Sequence, residues 1–201
     1  MRRRVSSWLP GLIGVAALAG IANGGWLGFE EEYRYETEGD VGMVAGDFNE
    51  DGVADAAMIA WSGEAAYVVL STGEGSVHDP REIVIGASGG AGNRPATLVE
   101  GDFNNDGHLD LAGINDSPRN LAILLGHGDG TFDDPIQTTP IYTTSDAVAE
   151  DFDGDGKLDL ALSAADNSTI AIYYGWGDSS FESPFSYDVN ETKRVVAGDF
   201  N

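Results

Sequence analysis

Three nonapeptides in this chain place oxygen-bearing side chains at their first, third, fifth and ninth positions, with glycine at the sixth. They read DFNEDGVAD at 47–55, DFNNDGHLD at 102–110 and DFDGDGKLD at 151–159, and a fourth opening, DFN, stands at 199–201. Carboxylates and amides so spaced can wrap one hard cation. Calcium, which takes roughly six to eight oxygen ligands in flexible geometry, is the expected ion. Several anions within a few ångströms of one another disfavour common ionisation, and a bound cation removes that conflict. Asp, Asn and Gly also make ordinary polar turns, but turn formation alone does not ask for three copies in the same carboxylate phase. An EF-hand needs a bidentate Glu at its twelfth position and flanking helices. The twelfth positions here are Met58, Gly113 and Leu162, so that reading fails in every copy.

The elements that must hold these loops repeat with them. Successive copies begin at Asp47, Asp102, Asp151 and Asp199, spacings of 55, 49 and 48 residues. A period near fifty, carried by short apolar stretches without helical pattern, points to propeller blades or a stacked β-array. VGMVAGDF, ATLVEGDF, SDAVAEDF and RVVAGDF lead into the loops, and DAAMIAW, DLAGIND and DLALSAA lead out, as half-buried or buried strands do. A third shared element follows: LAILLGHGDGTF at 121–132, IAIYYGWGDSSF at 170–181 and a weaker AYVVLSTGEGSV at 66–77. Each is an apolar strand running into a glycine-rich turn where positive φ comes easily, which predicts a hairpin.

The order xVAGDFNxDGxxDLA, then a strand, then LLGxGDGTF, resembles the FG-GAP or VCBS repeat, the blade unit of integrin α-subunit-like β-propellers. The resemblance covers roughly residues 39–201. Phe132 and Phe181 are not followed by glycine, so the bacterial VCBS form fits better than the integrin one. The family implies an all-β fold of four-stranded antiparallel propeller blades, here about three blades plus part of a fourth, over residues 30–201. It also implies three structural calcium sites in β-hairpin loops. The first would be held by Asp47, Asn49, Asp51 and Asp55 with the carbonyl of Val53. The second would use Asp102, Asn104, Asp106 and Asp110 with the carbonyl of His108, and the third Asp151, Asp153, Asp155 and Asp159 with that of Lys157. Propellers close with about four to eight blades, so the expectation is an incomplete array whose partners include missing blades of its own longer polypeptide.

Residues 1–25 read as an export signal: MRRR is a basic opening, an apolar run covers 8–22, and Ala17 and Ala19 suit cleavage after Ala19. An uncleaved membrane anchor is the alternative, since apolar character continues to Phe29 and approaches the roughly 20 residues that span a bilayer. Either way the expected location is secreted or cell-surface. With no cysteine, such a chain must hold its fold by packing and bound ions. The formal net charge of −24 repels nucleic acid and anionic membranes, so neither is an expected partner.

Catalysis finds little support. Gly86-Ala87-Ser88-Gly89-Gly90 matches a nucleophile-elbow pattern, but 91–95, AGNRP, is a poor helix start where the elbow requires a helix. His78, His108 and His127 sit in turn-like contexts, and residues 126–130 lack the lysine of a phosphate loop. Trp61, Tyr67, Tyr173, Tyr174 and Trp176 could line a carbohydrate or protein face or, more ordinarily, pack between blades. The expectation is an exported calcium-binding propeller acting as an adhesion or protein/carbohydrate interaction module without chemistry of its own. The alternative is an accessory propeller of a larger secreted enzyme, such as a hydrolase or lyase.

Overall fold

A computed structural model describes residues 12–15, 34–37, 42–59, 65–73, 76–85, 94–117, 119–137, 144–164, 168–190 and 194–199. Within it, β1 (Leu12–Val15) pairs antiparallel with β2 (Arg34–Thr37). The rest of the expected leader, 1–25, lies outside the described residues. So do Trp61 and the 86–90 glycine-serine segment.

Three four-stranded antiparallel sheets follow, each a simple up-and-down meander in chain order. The first holds β3 (Met43–Gly46), β4 (Asp55–Ile59), β5 (Ala65–Val69) and β6 (Arg81–Val84). The second holds β7 (Arg94–Gly101), β8 (Asp110–Ser117), β9 (Arg119–Leu124) and β10 (Ile136–Gln137). The third holds β11 (Thr144–Glu150), β12 (Asp159–Ala164), β13 (Thr169–Tyr173) and β14 (Phe185–Asp188). No helix occurs among the described residues. The first strands lie side by side, β7 between β3 and β11. The expected all-β blade architecture, incomplete as a ring, is the one observed.

Side chains on a strand alternate between faces, and the middle blade uses both. Leu98, Leu111 and Leu124 pack toward the first blade, against Phe48, Ile59 and Val68. Their chain neighbours Val99, Ala112 and Ile123 pack the other way with Leu160, Leu162 and Tyr173 of the third blade. A sheet covered on both faces reads as a nearly continuous apolar run rather than an alternating one. That is why LAGI and LAIL carry no visible period. Fully burying a side chain such as Leu111 or Ile123 stabilises by roughly 1.5–3 kcal/mol. The blades are therefore held to one another by the same residues that hold each sheet.

Candidate metal centres

Each acidic loop joins the first strand of a blade to the second, so all three stand on the same rim. The loop closes where the last residue of the first strand pairs with the ninth loop position: Gly46 with Asp55, Gly101 with Asp110 and Glu150 with Asp159. Within the loop, the first aspartate gathers backbone N–H groups. Asp47 accepts from Asp51 at 3.1 Å and Gly52 at 2.8 Å, and Asp102 accepts from Asp106 at 3.1 Å and Gly107 at 2.9 Å. Asp151 does the same with Asp155 at 3.2 Å and Gly156 at 2.8 Å, and adds Gly154 at 2.7 Å. The turn requires the sixth-position glycines, which lie at φ of 82°, 92° and 86° for Gly52, Gly107 and Gly156, where a β-carbon is penalised.

The third and fifth positions complete the curl. The side-chain oxygens of Asn49, Asn104 and Asp153 accept from the N–H two residues on. Those of Asp51, Asp106 and Asp155 accept in the same way from Val53, His108 and Lys157, the three residues whose carbonyls the family resemblance assigns to the cation. The ninth position is different in kind. Asp55, Asp110 and Asp159 are 0–1% exposed. Each uses both oxygens on backbone N–H groups: one from the second loop residue, Phe48, Phe103 or Phe152, and one from the far hairpin, Ser71, Gly126 or Gly175. One carboxylate thus ties the loop to the end of the third strand. Sequence spacing gave no sign of this second duty.

The electrostatics match a cation-binding curl. Burial raises the Asp110 pKa to about 6, against the lowering pull of Gly126 and Phe103 N–H, and the charges of Asp106 and Asp102 push the same way as burial. Asp55 is raised for the same reasons, with Asp51 and Asp47 as its like-charged neighbours. In the third loop, carboxylate oxygens of Asp151, Asp153 and Asp159 lie within 4.8 Å of one another. Asp155 stands apart from that trio, its Oδ2 paired with Lys157 Nζ at 2.6 Å. An all-oxygen donor set of crowded carboxylates, one of them buried, fits a hard divalent ion. In the third loop the residues that would hold it are Asp151, Asp153 and Asp159, at positions 1, 3 and 9.

The rim also carries an interlock that the repeat alone did not disclose. The second-position phenylalanine of one loop sits under the glycine-rich turn of the next blade. Phe48 meets Phe132 edge-on at 5.9 Å between ring centres, and Phe103 meets Phe181 at 6.1 Å. The same turns donate backbone N–H to the same residues, Gly130 to the Phe48 carbonyl at 2.8 Å and Ser179 to that of Phe103 at 2.9 Å. Beside each clamp, the fourth residue of one loop meets the seventh of the next across a glycine. Glu50 pairs with His108 beside Gly128, and a β-carbon on Gly177 would collide with Asn105 and Lys157. A β-carbon at either glycine would displace these side chains and would sit at a φ of 67° or 71°, which penalises it.

Of the aromatics singled out from sequence, Tyr173 is buried in the core and Tyr67 is half-buried. Trp176 is 54% exposed with Lys157 Nζ 6.0 Å from its ring centre. His78 and His127 are exposed, and His127 pairs with Asp133 at 3.0 Å. Among the described residues no histidine stands beside a serine and a carboxylate as a catalytic set.

Rows of four-stranded blades carrying one acidic hairpin loop apiece define a repeat protein built of β-propeller blades. The FG-GAP-like repeat matches twice, over residues 47–112 and 102–162, and the chain belongs to that family. Among solved structures it is similar to an Agrocybe aegerita lectin described for specific recognition of non-reducing terminal N-acetylglucosamine. That match has 22% identity and a TM-score of 0.54, over 75% of this chain and 38% of the lectin's. A Photorhabdus luminescens Tc holotoxin pore matches at 16% identity and a TM-score of 0.48, over 93% of this chain and 10% of its own. No curated protein matches the chain.

Proposed function

We propose that this chain is an exported, calcium-stabilised propeller module whose loop-bearing rim contacts a protein or carbohydrate and performs no chemistry. The observation that carries the calcium reading is the convergence of Asp151, Asp153 and Asp159 oxygens in a loop whose plan recurs twice more. Calcium at extracellular concentrations serves there as a staple, since metal sites that close loops stabilise the folded state by mass action. The cation is enclosed by its own nine residues. A hydrolytic site instead needs an open coordination position and a base nearby. The exposed and half-buried residues around the loops, Trp176, Asn105 and Lys157 among them, vary from blade to blade on a constant frame, as a binding rim requires. The similarity to the lectin supports the blade fold, and a sugar is one ligand class this rim could take.

The test is a glycan array and a protein-ligand screen run with the same preparation in calcium and in EDTA. Binding is expected in calcium, to be lost in EDTA only in proportion to unfolding followed by circular dichroism. Hydrolytic turnover of a bound glycan, abolished by a folded Asp159→Ala variant, would overturn the non-catalytic reading. Export is checked separately by N-terminal sequencing of protein recovered outside the cell, where a mature start at Gly20 is expected.

A further inference from the structure

Each acidic loop has a side chain that donates to its fifth-position carboxylate, and the third loop uses a donor of a different kind. In the first loop Asn49 Nδ2 donates to Asp51 Oδ2 at 3.0 Å, and in the second Asn104 Nδ2 donates to Asp106 Oδ2 at 2.8 Å. The third loop has Asp153 in the place of that asparagine, and an ionised carboxylate has no hydrogen to give. There the donor comes from the seventh position, where Lys157 Nζ reaches Asp155 Oδ2 at 2.6 Å. A neutral amide is thereby exchanged for a full positive charge. The charges of Asp153 and Asp159 also act on that ammonium, and these are two of the three carboxylates that converge in this loop. Four aspartates less one lysine leave residues 151–159 at −3, which three aspartates also give residues 102–110 with histidine neutral. No such charge serves the other loops from the seventh position, since Val53 is apolar and His108 pairs with Glu50.

We propose that Lys157 is the resident counter-cation of the third loop and competes there with calcium, an inference that rests on the calcium reading of the loops given above. A divalent ion among Asp151, Asp153 and Asp159 meets a positive charge already bonded to the neighbouring carboxylate, and like charges at such range repel. Adding Asp155 to the donor set requires the ammonium to leave Oδ2. A second seat lies beside it. The Lys157 stem runs against Gly177, and Nζ is 6.0 Å from the ring centre of the exposed Trp176, an aromatic face of the kind that attracts an ammonium. Calcium affinity in oxygen-lined loops follows ligand charge and rigidity. The fourth aspartate therefore favours this loop by less than its charge alone would give, and Lys157 sets the difference. The metal-free loop keeps its four carboxylates partly neutralised by the same contact.

The experiment reads each loop separately, by NMR of the amide resonances of Gly52, Gly107 and Gly156 in glycine-labelled protein titrated with calcium. In Lys157→Met the calcium midpoint at Gly156 is expected to fall about 3- to 10-fold, the effect of removing one solvent-screened charge near the cation. Gly52 and Gly107 should keep their midpoints. Lys157→Arg keeps the charge and should leave Gly156 near the value of the unsubstituted chain. A salt bridge that merely held the loop in shape would act with the opposite sign, because its loss would weaken calcium binding. A Gly156 midpoint that is unchanged or higher in Lys157→Met overturns the proposal and leaves the calcium reading standing, as does a Lys157→Arg variant that binds as tightly as Lys157→Met. No calcium-dependent shift at any of the three glycines overturns both.

Discussion

Replacing Ser179 by glycine should make the protein more stable, although it removes atoms from a buried position. Ser179 sits where the second blade has Gly130, and both donate to the carbonyl of the phenylalanine beneath them. Its φ is 68° against 75° for Gly130, a left-handed conformation that costs a residue with a β-carbon about 1–2 kcal/mol. Its hydroxyl is a second liability: Ser179 is 4% exposed and Oγ has no hydrogen-bond partner among the described residues. A buried unsatisfied polar group costs about 1–3 kcal/mol. Glycine relieves both, offset by about 0.4–1 kcal/mol for the freer unfolded chain. The net gain is about 1–4 kcal/mol, or roughly 2–16 °C in Tm for a chain of this size. Differential scanning calorimetry in excess calcium measures it, and Ser179→Ala, which removes only the hydroxyl, should recover about half. A lower Tm for Ser179→Gly would refute the reasoning, because it would mean the serine contributes packing or a bond that outweighs its backbone strain.

Three further outcomes follow from the loops. In the metal-free protein, the raised Asp110 pKa contributes stability that is full below the unfolded value near 3.9 and lost as pH rises through about 6. Denaturant titrations in EDTA should therefore show stability falling between pH 4 and 6 by at most about 3 kcal/mol, a slope that excess calcium reverses and Asp110→Asn flattens. The third loop, with Asp153 where the others have Asn49 and Asn104, should bind calcium tightest in loop-by-loop calorimetry, and Asp153→Asn should bring it down to the level of the others. An unchanged order would remove ligand charge as the controlling variable. Replacing Asp159 by Ala strips the Phe152 and Gly175 N–H groups of their acceptor, so protease resistance and Tm should fall together, by about 3 kcal/mol or more in stability.

Much of this was legible in the residues. The loop spacing and the fifty-residue period carried the blade architecture, because a propeller repeats one supersecondary unit and its punctuation repeats with it. The hairpin turns were readable from Gly126, Gly128, Gly175 and Gly177, which fix backbone conformation locally. What stayed hidden depends on contacts between blades. DF and GDGTF look like separate motifs along the chain, yet Phe48 and Phe132 are two halves of one joint separated by more than a blade. The two-faced burial of β8 and β9 was also invisible, since an apolar run shows that residues are buried and not which neighbour buries them. Nor could spacing distinguish Asp110, a buried tie between two backbone segments, from Asp106, exposed and held below the usual carboxylate range by the His108 N–H.

The central claim, that the three acidic loops are calcium sites that hold the blades, is tested most directly by titrating calcium into EDTA-stripped protein by isothermal calorimetry, with thermal melts on the same samples. Three binding equivalents are expected, and if each site has a Kd near 0.1 mM, then about 1–10 mM calcium adds roughly 1.4–2.7 kcal/mol per site and raises Tm accordingly. No heat of binding and superimposable melting curves in calcium and EDTA, with metal removal verified, would contradict it.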